Sequence, residues 1–353
     1  MRPLNFQHYD LASDFEHITS SCDHIFKELN GSHIFLTGGT GFIGTWFLES
    51  IKYANISKNL NIKVSILTRD SKSFISKLPD LGNYEKFDFV DGDIINFKYP
   101  EVNYNYIIHG ATDASAELNE NNPYKMFSTI VDGTSHILKM AENLKIKKFL
   151  YLSSGAVYGN QPSDISKISE SWNGSVDFTD TKSSYAEGKR AAEMLCAIYF
   201  KKHDIKISVA RIFALLGPYL TLGIHFAAGN FILDAINSRK VIVNGNGLPV
   251  RSYLYPTDLM IFLFNLLIKK EEKFNPYNIG SDESISIKEL AEKTSRLVGN
   301  GKFEVLDHND NGWNLGRYVP DTNKFSKDFN ISRLVSLEEA IIRTAKWNGW
   351  EGK

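Results

Sequence analysis

Cysteine is almost absent from this 353-residue chain, which holds Cys22 and Cys196 and no other thiol. Two thiols that far apart build neither a disulfide framework nor a metal-ligand cluster, so no metal is expected and a reducing, cytoplasmic setting is. An excess of charge is missing too: 40 Lys and Arg face 41 Asp and Glu, for a net charge of -1. Without a basic cluster, nucleic acid is not the expected partner. Long apolar runs are also lacking. The stretch from Met260 to Ile268 falls far short of a bilayer span, and residues 1–20 carry acids and histidines where a secretory signal needs an apolar run. No membrane partner is expected, and neither repeats nor low-complexity tracts occur. With 42% hydrophobic residues the chain is able to bury a sizeable core, as one large domain or two interlocked ones.

What is present is a run that joins three signals: Ile34-Phe35-Leu36-Thr37-Gly38-Gly39-Thr40-Gly41-Phe42-Ile43-Gly44, followed by the helical pattern Trp46-Phe47-Leu48-Ile51. An apolar strand passes through glycines spaced three apart into a helix. Gly38 makes the tight turn, Gly41 lets backbone approach a pyrophosphate, and Gly44 lets the helix pack closely on the strand. A glycine pattern alone is weak, but the flanking strand and helix are the context it needs, and the expected ligand is a dinucleotide.

Upstream, Phe15, Ile18, Ile25, Phe26 and Leu29 recur at helical spacing, so residues 1–30 are expected to form a helical extension. Downstream, the runs Val64-Ile66-Leu67, Phe87-Phe89-Val90, Tyr106-Ile107-Ile108, Phe149-Leu150-Tyr151-Leu152 and Ile207-Val209-Ala210 alternate with helical patterns. That alternation builds a doubly wound parallel sheet, an α/β Rossmann-type domain over residues 31–217. From Gly217-Pro218 the elements shorten, and residues 218–353 are expected to form mainly a smaller α/β lobe that closes over the ligand, with some segments returning to the first domain.

Tyr185 and Lys189 stand one helical turn apart on one face, and Ser153-Ser154 follows a predicted strand end. An ammonium that close favours the phenolate, so the tyrosine pKa is expected to fall and Tyr185 to serve as a proton donor or acceptor. By itself the pair is common on solvated helices; beside a dinucleotide loop it is chemistry.

With these motifs in place, the chain resembles the extended short-chain dehydrogenase/reductase family in its nucleotide-sugar epimerase/dehydratase branch. The resemblance runs from about Gly31 to Trp347 and rests on Thr37–Gly44, Gly92-Asp93-Ile94, His109-Gly110-Ala111, Ser153–Gly159, the Tyr185/Lys189 pair, Gly217-Pro218, and Arg251–Tyr255 with Asp258. It implies that Gly38, Gly41, Phe42, Ile43, Gly44, Arg69, Asp93, Ile94 and Ala111 line the cofactor together with Tyr185 and Lys189. It further implies that Ser154 hydrogen-bonds the sugar oxygen at the reacting carbon, that Tyr185 shuttles the proton, and that Lys189 holds the nicotinamide ribose. The resemblance likewise implies that Asn230, Arg251 and Arg317 take the positions that bind the nucleotide diphosphate. Family members often dimerise through helices corresponding to those near Met126–Ala141 and Tyr185–Phe200, so a homodimer is implied.

Within that branch, dehydratases carry an Asp-Glu pair after the catalytic Ser or Thr, where this chain has Gly155 and Ala156; decarboxylases commonly carry a glutamate there, also missing. Reduction and epimerisation remain. The second strand ends Leu67-Thr68-Arg69-Asp70, offering a guanidinium to a 2'-phosphate, which favours NADP over NAD, although Asp70 is an acid that NAD would use. A 4-ketoreductase acting on a dTDP-4-keto-6-deoxyhexose in surface polysaccharide (O-antigen or capsule) synthesis is therefore the leading expectation. A nucleotide-sugar 4-epimerase is the runner-up, and a cofactor-binding member without catalysis comes last. Two positions depart from the family pattern, Ala214 and Ile130, where asparagine is usual. Thr112, Asp113 and Ser115 either face the sugar or cap the next helix.

Overall fold

The computed structural model describes residues 10–352, apart from 113–115, 204, 225, 271, 307–315 and 332–334. Two helices come first, α1 (Ala12–Ser21) and α2 (Asp23–Leu29). Strand and helix then alternate: β1 (His33–Thr37), α3 (Phe42–Ser57), β2 (Lys63–Thr68), α4 (Ser71–Lys77), α5 (Pro79–Gly82), β3 (Phe87–Asp91), β4 (Tyr106–His109) and α6 (Ala116–Asn121). The series goes on through α7 (Pro123–Asn143), β5 (Lys148–Ser154), α8 (Ser184–Lys202), β6 (Lys206–Ile212), α9 (Ala227–Ile236), β7 (Val241–Val243), β8 (Val250–Arg251) and α10 (Pro256–Ile268). It ends with β9 (Tyr277–Ile279), β10 (Ile285–Ser286), α11 (Ile287–Val298), β11 (Phe303–Val305), β12 (Arg317–Tyr318), α12 (Asn323–Phe329) and α13 (Leu337–Trp347).

Seven strands form one sheet in the order β3-β2-β1-β4-β5-β6-β9, every pair parallel. Parallel strands covered on both faces read as unbroken apolar runs, and β5 is buried along its whole length. The order reverses between β1 and β4, so their carboxyl ends, Thr37 and His109, open the crevice in which such sheets bind ligands. The chain thus adopts the α/β, Rossmann-type architecture.

Two apolar clusters sandwich the sheet. On one face α1, α2, α3 and α10 bury Phe26, Trp46, Phe47 and Phe264; on the other, α7 and α8 bury Ile130, Ile137, Ala192 and Cys196. Each such large side chain contributes about 1.5–3 kcal/mol when fully buried. α1 is tied in by Phe15, whose ring lies 5.3 Å from that of Trp46, and by buried Asp14, which accepts from the Tyr255 hydroxyl at 2.7 Å and pairs with Arg343 of α13. A third cluster gathers α9, α11 and α13 around Phe231, Ile232, Leu290 and Ile341. Beside it, β8 pairs antiparallel with β10 and parallel with β12, which sets Tyr318 next to Arg251. Among the described residues no helix is long and apolar enough to cross a membrane.

Candidate active site

The turn from β1 into α3 works only with glycine. Gly38 sits at φ +76°, where L side chains are strained, and a Cβ there would come within 2.7 Å of the Gly110 backbone. A Cβ on Gly44 would collide with the Gly38 carbonyl and Gly39 Cα, so the helix and strand approach as closely as backbone allows. Gly41 precedes α3 in extended geometry and no side chain caps the helix, which aims the first-turn N–H groups of Phe42, Ile43 and Gly44 at the cleft. That donor set and the bare backbone fit a pyrophosphate.

The cleft encloses about 1310 Å³, more than the roughly 300–1,000 Å³ of a single small-molecule site, which leaves room for two ligands. Its walls hold Gly38, Gly41, Phe42, Ile43, Gly44, Arg69, Asp93, Ile94 and Ala111 at one end, and Ser154, Tyr185, Lys189 and Arg251 at the other. Beyond β2, the Asp70 carboxylate caps α4 by accepting from the Ser73 N–H at 2.9 Å, and Asp93 accepts from the Ile95 N–H at 3.0 Å. Arg69, Ser73 and Lys77 line the same end.

At the other end, β5 delivers Ser154, whose Oγ accepts from the Ala156 N–H at 3.1 Å. α8 delivers Tyr185 and Lys189 from one face. Its first turn is fixed by Asn119 of α6, which accepts from the Tyr185 N–H at 3.0 Å and donates to the Lys182 carbonyl at 2.7 Å. Lys189 is 3% exposed, donates to the Leu152 carbonyl at 2.8 Å, and stands 5.9 Å from the Tyr185 ring centre. Burial brings its pKa down to about 7, opposed by the carboxylate of Glu193. For Tyr185 the outcome differs from the sequence-based expectation. Burial raises its pKa, with the Ser154 hydroxyl pulling the other way, because an ammonium that is itself desolvated and bonded to a carbonyl does not offset the lost hydration of a phenolate. Nearby His109 bridges the hydroxyls of Thr37 at 2.7 Å and Thr134 at 3.0 Å; burial pushes it down to about 3, so it is a neutral brace.

The wall facing Ser154 is aromatic. A Cβ on Gly155 would meet the Phe213 ring and the Tyr318 hydroxyl, each at 2.7 Å, and the Tyr318 hydroxyl lies 3.4 Å from Ser154 Oγ. Neither aromatic was singled out in the sequence. Tyr318 was within reach of such reasoning, since it neighbours Arg317 in a strand and successive side chains alternate faces. Tyr318 lines the cleft and Arg317 does not; nor does Asn230 of α9, whose buried Oδ1 lacks a hydrogen-bond partner. Arg251 lines the cleft with its guanidinium on the carbonyls of Val250, at 2.9 Å, and Gly316. Ala214 lines the cleft as well, while Ile130 is buried and would lie 3.1 Å from a Cβ on Gly188, filling the α7–α8 contact. Thr112 lines the cleft and donates to the Ala111 carbonyl at 2.8 Å; Asp113 and Ser115 lie outside the described residues. Among the described residues no group of three or more His, Cys, Asp or Glu is placed to hold a metal ion.

Comparison with known proteins agrees with this geometry. A family model described as the NAD dependent epimerase/dehydratase family matches residues 34–280. UDP-glucuronic acid decarboxylase 1 of Xenopus tropicalis is 28% identical over 318 residues, 90% of this chain and 72% of that protein. UDP-glucuronic acid decarboxylase 6 of Arabidopsis thaliana is 31% identical over 265 residues, 75% of this chain and 74% of that protein. Among solved structures, the UDP-glucuronic acid 4-epimerase of Bacillus cereus, in complex with UDP-glucuronic acid and NAD, superposes with a TM-score of 0.72 at 20% identity, covering 90% of this chain and 98% of the other.

Proposed function

The chain belongs to the NAD dependent epimerase/dehydratase family, and within it we propose that this protein interconverts a hydroxyl and a ketone at C4 of a nucleotide-linked sugar, acting as a 4-ketoreductase on a 4-keto-6-deoxyhexose such as the dTDP-linked form. The observation that carries this reading is the pairing of Ser154, Tyr185 and Lys189 with a facing wall that, among the described residues, holds no acid. Eliminating water across C5 and C6 needs an acid and a base beside the catalytic hydroxyl, yet Phe213 and Tyr318 fill the space around Gly155. Among the described residues the acids that line the cleft, Asp70 and Asp93, stand past β2 and β3. From β2 to β5 is three strand spacings, roughly 14 Å, too far to act at Ser154.

In that reaction Ser154 polarises the C4 oxygen, Tyr185 delivers its phenolic proton to that oxygen, and Lys189 fixes the nicotinamide ribose. A nicotinamide held there by Lys189 would supply the hydride. A phenol whose pKa burial raises keeps its proton until the oxygen acquires charge, which suits the reductive direction. Arg251, which lines the cleft, supplies a cation for the diphosphate. Arg69, Ser73 and Lys77 at the adenosine end, with Asp70 already engaged as a helix cap, favour NADPH, which a reductase exchanges on every turnover. A homodimer is supported by the exposed Tyr124 and Phe127 of α7 and Met194 and Ile198 of α8. The sugar class and the setting, cytoplasmic synthesis of a surface polysaccharide, follow from the resemblance.

The test is to incubate the purified protein with NADPH or NADH and a dTDP-4-keto-6-deoxyhexose and to follow loss of the reduced nicotinamide. Oxidation is expected, faster with NADPH. No oxidation, together with C4 inversion of an unmodified nucleotide hexose without added reductant, would replace this reading with epimerisation, which the Ser153–Gly159 segment also accommodates.

A further inference from the structure

Behind the catalytic end of β5 lies a buried ion pair that the reaction above does not use. Glu193 stands one helical turn beyond Lys189 on α8; it accepts from the Ser153 hydroxyl at 2.6 Å and from Arg211 Nη2 at 2.6 Å and Nε at 3.0 Å. Arg211 lies directly across from Ser153 in the β5–β6 register and also donates to the Tyr158 hydroxyl at 2.8 Å, which in turn donates to Asn278 at 2.7 Å. Every partner is satisfied, yet neither Glu193 nor Arg211 lines the cleft. A buried pair of this kind gains little net stability over a well-packed apolar substitute, so stability alone does not account for it.

The position of the pair explains more. Lys189 is walled in by Tyr151 of β5, whose ring centre is 5.0 Å from its Nζ, by His109 of β4, and by Tyr185 and Cys196 of its own helix. Burial holds each of these uncharged near neutrality: His109 down, Tyr151, Tyr185 and Cys196 up. Glu193 is the carboxylate that acts on Lys189, with Arg211 reaching it from β6 on the far side of β5. We propose that Glu193, clamped by Arg211 and Ser153, is a positioning residue that keeps Lys189 a cation and thereby sets the alkaline limit of dinucleotide binding and turnover. The direction follows from the balance at Lys189: burial favours the neutral amine, and Glu193 opposes it. This rests on Lys189 holding the nicotinamide ribose.

Titrating NADPH and NADH affinity against pH tests the proposal without needing the sugar, so a failed sugar assay leaves it standing or falling by itself. In Glu193→Gln the alkaline limb of binding is expected to move toward acid by about one pH unit, a roughly tenfold weaker affinity on that limb with little change at acid pH. Glu193→Asp, which keeps the charge, is expected to restore the limb. If Glu193→Gln leaves Arg211 unpaired and fails to fold, the double replacement Glu193→Gln with Arg211→Met removes both charges, and an acid displacement in the same direction is expected, smaller because the Arg211 cation is lost as well. A folded variant of either kind whose limb stays at the wild-type pH overturns the proposal, since a purely structural role would lower thermal stability without moving it.

Discussion

The two ends of the cleft are built in opposite ways. At the cofactor end, one continuous segment from Thr37 to Gly44 supplies the turn, the close approach and the helix start, and its Gly38 and Gly44 collide with backbone if given a Cβ. At the sugar end, Ser154, Tyr185, Phe213, Arg251 and Tyr318 arrive from five separate segments. The first end is fixed by local geometry, whereas the second exists only once the sheet and lobe have assembled. On the function proposed above, the cofactor end would define the dinucleotide and the assembled end what is done with it.

The sharpest way to separate the ends is Tyr185→Phe, which removes the proton and leaves the ring. Turnover of the keto sugar should fall by roughly 10²–10⁴-fold, the usual worth of a general acid, while the dinucleotide dissociation constant stays within about twofold. Full activity would remove Tyr185 from the chemistry. Next in size, Arg69→Ala should weaken NADPH by the loss of a charge-assisted contact, about 1.5–3 kcal/mol or roughly 10- to 150-fold, and leave NADH almost untouched. Equal losses for both dinucleotides would break the assignment of the adenosine end to a 2'-phosphate. Smaller again, Gly155→Ala pushes a methyl against Phe213 and Tyr318, and overpacking of about 1 kcal/mol or somewhat more should cut kcat/KM for the sugar several-fold without touching dinucleotide affinity. An unchanged kcat/KM would mean that this wall does not shape the sugar site.

The same contrast explains what could be read from the residues in order. The parallel sheet was visible because its strands are apolar runs punctuated by helical periodicity, and β1, its glycines and α3 are neighbours in sequence. Tyr185 and Lys189 were visible because a helical turn fixes their relation. Phe213 and Tyr318 were not, because an aromatic residue near a glycine reads as core until tertiary structure turns it toward Ser154. Arg317 drew attention by its charge, yet strand alternation gave the cleft to its neighbour. The fall expected in the tyrosine pKa failed for a related reason: spacing places the ammonium, but the depth at which both groups sit decides the sign.

Away from both ends, α10 packs on the sheet with α1 and α3, and its third residue offers the mildest test. Asp258 is 1% exposed and accepts from the Val335 N–H at 2.8 Å; burial raises its pKa to about 7, opposed by that bond and by Arg343 and reinforced by buried Asp14. An unfolded aspartate releases its proton near pH 4, so between about pH 4 and 7 the folded chain holds a proton that the unfolded chain has lost. The stability this carboxyl gives is present in full below pH 4, declines as pH rises toward 7, and is level above that. Asp258→Asn keeps an acceptor for Val335 and has no proton to lose. Denaturant midpoints should then show the variant gaining on the wild type from about pH 4 to pH 7 and holding that gain above it, with dinucleotide affinity unchanged. A pH dependence identical to the wild type would mean that Asp258 is ionised in the fold, and that the junction of lobe and sheet tolerates a buried charge which its surroundings compensate.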